Sequence, residues 1–161
     1  MRKARTPDRI EWPTVALIAA TYLCFGLLTW FHAAVPWWAF IPLGAYIAGL
    51  HGSIQHEVVH GHPTPWRWVN EALIFPCLWL WLPYPLYREG HLAHHEDDHL
   101  TCPRVDPETY YVLPERWATM SAPARAYRWA LNTFAGRLIL GPPRSWFWAL
   151  KQLWWALRHG D

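Results

Sequence analysis

The sequence predicts an all-α membrane protein: a transmembrane helical hairpin followed by cytoplasmic or interfacial helices that carry clusters of histidine. Three observations predict it. The 161 residues are 53% hydrophobic but only 16% charged, where a soluble domain carries about a quarter. From Trp12 to His56 there is no Asp, Glu, Lys or Arg. Eight of the ten histidines lie between positions 51 and 99, several at helical spacing. The length allows one domain, 1–161, and so apolar and aromatic a chain is not disordered. Three cysteines without a CxxC pair exclude a disulfide scaffold and a zinc ribbon. Nothing in the charge pattern calls for a nucleic-acid partner.

The charge-free run of 45 residues would extend ~68 Å as helix. A bilayer core takes about 20 residues per crossing, so the run fits two crossings with a turn between them. Pro36 marks the turn, because proline stops one helix and can open the next. The first helix is placed at about 13–32 and the second at about 37–60. Trp12, Trp30, Trp37 and Trp38 fall at their ends, where the amphipathic indole prefers the headgroup level. A signal peptide is disfavoured, because the apolar stretch is too long and no A-x-A site follows it. A buried soluble hairpin would need a larger protein around it.

Two crossings bring the chain back to its starting side. Arg2, Lys3, Arg5 and Arg9 at the start, and seven basic residues with no acid over 116–160, then share one face. The positive-inside rule makes that face cytoplasmic, and an integral protein of the inner membrane is expected, with its N-terminus and histidine groups on the cytoplasmic side. A third apolar stretch, about 72–87, is broken by Pro76, Pro83 and Pro85 and is read as interfacial or re-entrant. Toward the end, about 144–158, Phe147, Leu150, Leu153, Trp154 and Leu157 share one arc. Arg144, Lys151 and Arg158 recur on the other, the pattern of a basic amphipathic helix on a membrane surface. Trp148 and Trp155 project on the basic side and do not fit that simple picture.

The first histidine group reads His56-Glu57-Val58-Val59-His60-Gly61-His62. His56 and His60 are one helical turn apart and share a face, and Gly61 and Pro63 end the helix just beyond them. The second reads His91-Leu92-Ala93-His94-His95, with spacings that put all three imidazoles on one face and His99 a further turn along it. An HxxxH pair arises by chance. Two such groups on one side of a membrane hairpin point to metal, because polar groups at membrane depth are costly. Imidazole suits zinc, copper, iron and nickel. Five to seven histidines exceed one tetrahedral zinc, so a two-metal site is expected. Cys102 lies close by and is read as a small buried residue.

At these residues the chain resembles the integral-membrane fatty acid desaturases. The likeness rests on HEVVHGH at His56–His62 and HLAHH at His91–His95, about thirty residues apart. It extends through Asn70-Glu71-Ala72-Leu73, Trp81-Leu82-Pro83-Tyr84, Asp106-Pro107-Glu108-Thr109-Tyr110-Tyr111 and Ala135-Gly136-Arg137, which resemble bacterial members. The resemblance implies a di-iron centre that uses dioxygen and two electrons to remove two hydrogens from an unactivated fatty acyl chain of an acyl lipid, entering from the membrane. By position it makes His56, His60, His91, His94 and His95 iron ligands, with His62 and His99 as extra ligands or supporting partners. Glu57, Glu96, Asp97 and Asp98 are expected to orient ring nitrogens from behind. Reducing power is expected from a ferredoxin-like or cytochrome-like partner, because this chain holds no such segment. The family pattern has a third HxxHH cluster after a second pair of membrane helices. The only later histidine here is His159, so the chain is expected to be an N-terminal portion whose activity belongs to the complete protein.

Three other readings compete. Hydroxylases and ketolases of the same superfamily share the histidine groups and begin with the same hydrogen abstraction. HEVVH also matches the HExxH zinc-protease motif, with Glu57 as general base. A non-catalytic membrane binding module is the third.

Overall fold

The computed structural model describes residues 7–79, 82–96 and 98–160, and every regular element among them is helical. Arg2, Lys3, Arg5, Leu80, Trp81 and Asp97, which figure in the sequence reading, lie outside the described residues. The chain divides into two compact units, Met1–Trp79 and Leu80–Asp161.

In the first unit, α1 spans Trp12–Trp30, a short 3-10 turn covers His32–Ala34, α2 spans Trp37–Val59 and α3 spans Arg67–Ile74. Pro13 sits in the first turn of α1, where a missing N–H costs nothing. The Glu11 carbonyl accepts from the N–H groups of Thr14 and Val15. Pro36 is extended at the start of α2, and its carbonyl accepts from Ala39 and Phe40. Phe31, the 3-10 turn and Val35 separate the two helices, so they can pack side by side.

The buried side of this pair is narrow. α1 packs against α2, with Ile18 and Thr21 buried on α1, and α2, which also meets α3, buries Ile47, His51, Ile54, Gln55 and Val58. The rest of α1 is apolar and exposed, with Leu23 62% and Leu27 48% accessible. A soluble core helix would bury such residues; here the exposed apolar surface suits lipid. The 19 residues of α1 reach ~28 Å, close to the ~30 Å of a bilayer core. Among the described helices, α1 alone is long and apolar enough to cross a membrane by length and composition. The longer α2 falls short of the same measure because its C-terminal half carries His51, Gln55, His56 and Glu57.

Polar contacts knit the unit together. The Tyr22 hydroxyl donates to the Pro76 carbonyl at 3.0 Å, so His51 Nε2, 3.1 Å away, must be the donor to the same oxygen. Trp79 donates through its indole N–H to Ala48 O at 2.8 Å. Its ring covers Gly52, where any Cβ would collide with it. Past α2, Gly61 takes a positive φ of 97°, a conformation that glycine adopts without penalty. Buried Asn70 closes that turn. Its amide N–H groups donate to Gly61 O and Thr64 O, and its Oδ1 accepts from the Thr64 amide and hydroxyl at 2.9 and 2.7 Å.

The second unit holds α4 (Tyr84–Glu96), α5 (Pro114–Thr119), α6 (Ala122–Leu131) and α7 (Phe134–His159). The interfacial stretch expected over 72–87 is thus divided: α3 ends at Ile74 and α4 opens at Tyr84. The terminal helix is longer than the amphipathic segment at 144–158. It starts at Phe134, runs through Pro142 and Pro143, and ends on left-handed Gly160. Thr133 caps its start by accepting from Gly136 N at 3.0 Å, while the Thr133 hydroxyl donates to Ala130 O at 2.7 Å.

Gly136 is fully enclosed in the α6–α7 turn, and a Cβ there would run into the Ala130 carbonyl. Because backbone cannot rotate away as a side chain can, Gly136→Ala is expected to destabilise the second unit by about 1–3 kcal/mol. Thermal unfolding in detergent, followed by circular dichroism, checks this. An unchanged midpoint would mean the turn has slack.

Candidate metal centre

The first group of histidines closes α2. His56 lies in its last turn and His60 is the residue that ends it, with the His60 N–H donating to His56 O at 3.3 Å. The helical spacing brings the two rings together edge to face, with centroids 4.6 Å apart. Both are half-buried. Glu57, which is exposed, has Oε1 3.4 Å from His56 Nδ1, a long contact. His62 turns elsewhere. Its Nδ1 sits 2.9 Å from each carboxylate oxygen of Glu11, and the Glu11 N–H donates to Pro63 O at 2.9 Å. His62 therefore ties the start of α1 to the loop after α2, a use invisible in sequence because the partners lie 51 positions apart.

The second group lies on α4. Spacings of three and four place His91, His94 and His95 on one face, with centroid separations of 6.0, 4.6 and 5.4 Å for the three pairs. His91 is buried, and its ring stacks on Tyr87 at 5.6 Å. His91 Nδ1–H donates to Glu108 Oε1 at 2.9 Å, and His94 Nδ1–H donates to Asp106 Oδ1 at 2.8 Å. Each carboxylate fixes its ring and tautomer by taking up the Nδ1–H, which puts the ring's lone pair on Nε2, the arrangement that metal-binding imidazoles use. His91 Nε2 and His95 Nε2 lie 3.1 Å apart. Two nitrogens each ~2.1 Å from one ion at a right angle are separated by about 3.0 Å, so the donor set on α4 fits a metal.

Asp106 organises the segment behind this face. Its Oδ2 accepts from Thr101 N at 2.7 Å and its Oδ1 from Glu108 N at 2.8 Å, in addition to His94. Thr101 holds a positive φ of 70°, a strained conformation for a β-branched residue that persists only where surrounding contacts impose it. Burial acts to raise the Asp106 carboxyl, but the hydrogen bonds from His94, Thr101 and Glu108 outweigh it and hold the group below the usual carboxylate range. Tyr87 is pushed up to about 12 by burial and by the Glu108 charge, so its phenol stays protonated beside His91.

The helix that carries the second group is shorter than the spacing alone suggests. α4 ends at Glu96, so His99 does not continue the histidine face; it lies exposed past the helix end, its carbonyl accepting from Cys102 N at 3.1 Å. On α4 the acids that hold ring nitrogens are Glu108 and Asp106, while Asp98 is exposed. Asp106 and Glu108 stood in the D-P-E run as part of a resemblance, with no role attached. An Asp-Pro pair signals a turn, and that turn is what returns the two carboxylates to α4.

Comparison with known proteins returns one family. The fatty acid desaturase family matches residues 29–160, which include both histidine groups, Asp106 and Glu108. No curated protein matches the chain, and no solved structure does.

Proposed function

The chain belongs to the fatty acid desaturase family, and on that premise we propose that it forms part of a membrane-bound, di-iron, dioxygen-dependent acyl-lipid desaturase of lipid metabolism. The family is one of membrane oxidoreductases. The observation that carries the finer reading is on α4, where two imidazoles have Nδ1 committed to carboxylates and two Nε2 atoms converge to 3.1 Å.

In this reading His91, His94 and His95 from α4, with His56 and His60 from the end of α2, hold the irons. Bound iron would supply the oxidant that dioxygen and two electrons generate for an unactivated C–H bond. The balance is one CH2–CH2 unit, one dioxygen, two electrons and two protons giving one CH=CH and two waters. The chain's own residues do quieter work. Glu108 and Asp106 accept the Nδ1–H of His91 and His94, which directs each Nε2 lone pair outward and stops the rings from turning. Tyr87 packs one face of His91 and keeps water from it. α1 and, by this proposal, α2 cross the inner membrane, with the basic N-terminus and both histidine groups on the cytoplasmic side. An electron-donor protein supplies the reducing power there.

Iron content and product mass test the reading. Membranes containing the protein, given acyl lipid, dioxygen and a reductant, are expected to yield product two hydrogens lighter than substrate. A product heavier by one oxygen would make it a hydroxylase of the same superfamily. A single zinc per chain would overturn the reading in favour of HExxH proteolysis. Glu57→Gln separates the two further. Glu57 is exposed, and its carboxylate makes, among the described residues, the long 3.4 Å contact with His56, so its loss is expected to lower oxidation by less than about tenfold, below the usual range for an outer partner. A zinc protease would lose its general base and with it all activity.

A further inference from the structure

The second unit contains a cavity that the metal reading leaves without a task. Its volume is about 370 Å³, within the range of small-ligand sites. Leu86, Tyr110 and Trp148 give it apolar wall, and Arg144 and Ser145 give it a polar end. Tyr87 and Glu108, which stack on His91 and accept its Nδ1–H, also line it. A molecule in this cavity therefore shares two wall residues with the histidine face.

The polar end carries charge without a counter-charge. The guanidiniums of Arg144 and Arg137 both lie over the Tyr110 ring, at 5.1 and 5.2 Å from its centroid. Arg128 is near enough to Arg144 and Arg116 that burial and then their like charges lower its pKa. No carboxylate among the described residues pairs with Arg116, Arg128, Arg137 or Arg144; the nearby Glu115 is bonded to Arg104 at 3.3 Å. The one acid in the cavity wall, Glu108, is engaged with His91. Holding like charges together without neutralisation is unfavourable, and an anion at the cavity end would turn that cost into affinity.

We propose that this cavity binds the phosphate-bearing head of the acyl substrate, with Arg144 and Ser145 on the phosphate and Leu86 and Trp148 along the first carbons of the chain. The proposal rests on the acyl-substrate reading above and names the head chemistry that reading leaves open. A guanidinium fork suits phosphate oxygens, and the amphipathic lining suits a ligand with one charged and one apolar end. The phosphate can belong to a membrane lipid or to a soluble acyl thioester.

Binding to the purified full chain in detergent distinguishes them. The probes are palmitoyl-coenzyme A, vesicles of dipalmitoyl phosphatidylglycerol, and neutral palmitoylglycerol. At least one phosphate-bearing probe is expected to bind more tightly than palmitoylglycerol, and the one that does identifies the source. Arg144→Gln is expected to weaken that probe by about tenfold or more, the scale of a charge-assisted contact. Arg137→Gln, an equal charge change over the same ring but outside the cavity wall, is expected to cost less than about threefold, as a rim charge does. Equal losses in both variants, or no preference for phosphate, overturn the proposal. If Arg144→Gln loses helix content, Arg144→Met, which keeps the stem and removes the charge, replaces it, and unchanged affinity there overturns the proposal too. Metal content measured on the same samples keeps the two readings apart, since Arg144→Gln is expected to retain its metal.

Discussion

His91→Ala is expected to lower metal affinity by more than about 100-fold and to abolish oxidation of acyl lipid. The loss of an outer partner to a metal-bound histidine already costs about 10- to 100-fold, and His91 would be a ligand itself. The imidazole is held on three sides. Its Nδ1 is committed to Glu108 at 2.9 Å, its face to Tyr87, and its Nε2 faces His95 Nε2 at 3.1 Å. Iron retained after dialysis against a chelator measures the effect, with circular dichroism to show that α4 survives. Glu108→Gln supplies the graded comparison: it keeps the shape, weakens the hold on Nδ1, and is expected to fall in the 10- to 100-fold range. Metal retention unchanged in His91→Ala would remove His91 from the ligand set.

The parts of this site that were legible in the sequence are those carried by local geometry. Spacings of three and four reveal that His56 with His60, and His91 with His94 and His95, share helical faces, because 3.6 residues make a turn wherever the helix lies. Pro36 announces the break between α1 and α2 for an equally local reason. What stayed hidden depends on irregular backbone. Asp106 and Glu108 reach α4 from 12 and 17 positions away through a segment with a strained Thr101, and no periodicity describes such a path. The same holds for His51, passed over between the histidine groups and apolar surroundings, which packs α2 against Tyr22. The amphipathic segment is placed at about 144–158, yet α7 begins at Phe134 and continues through Pro142 and Pro143. Proline withholds an N–H from the carbonyl four residues earlier, here those of Leu138 and Ile139, residues 66% and 68% exposed. At such a surface water or lipid headgroups can take the place of the missing donors.

Asp106→Ala is expected to be the most damaging change to the second unit's fold. The buried carboxylate accepts three hydrogen bonds, from Thr101 N, Glu108 N and His94 Nδ1, at 2.7, 2.8 and 2.8 Å. A hydrogen bond to a charged group contributes about 1.5–3 kcal/mol, and an orphaned buried donor costs about 1–3 kcal/mol. These contributions are not additive, but a loss of about 3–5 kcal/mol is in keeping with breaking a buried charged network. The consequence extends past stability. Without Oδ2 the Thr101 N–H loses its acceptor, and this strained residue keeps the Thr109 hydroxyl on its carbonyl. Without Oδ1 the Glu108 backbone is expected to drift, so His91 loses its partner along with His94. Asp106→Asn is not a mild substitute, because one amide NH2 must then face an N–H donor. Both variants are therefore expected to lower the unfolding midpoint in detergent and to release metal more readily than Glu108→Gln, which breaks one contact. Were Asp106→Asn to match the parent protein in both measurements, the carboxylate would not be the element that braces the histidine face.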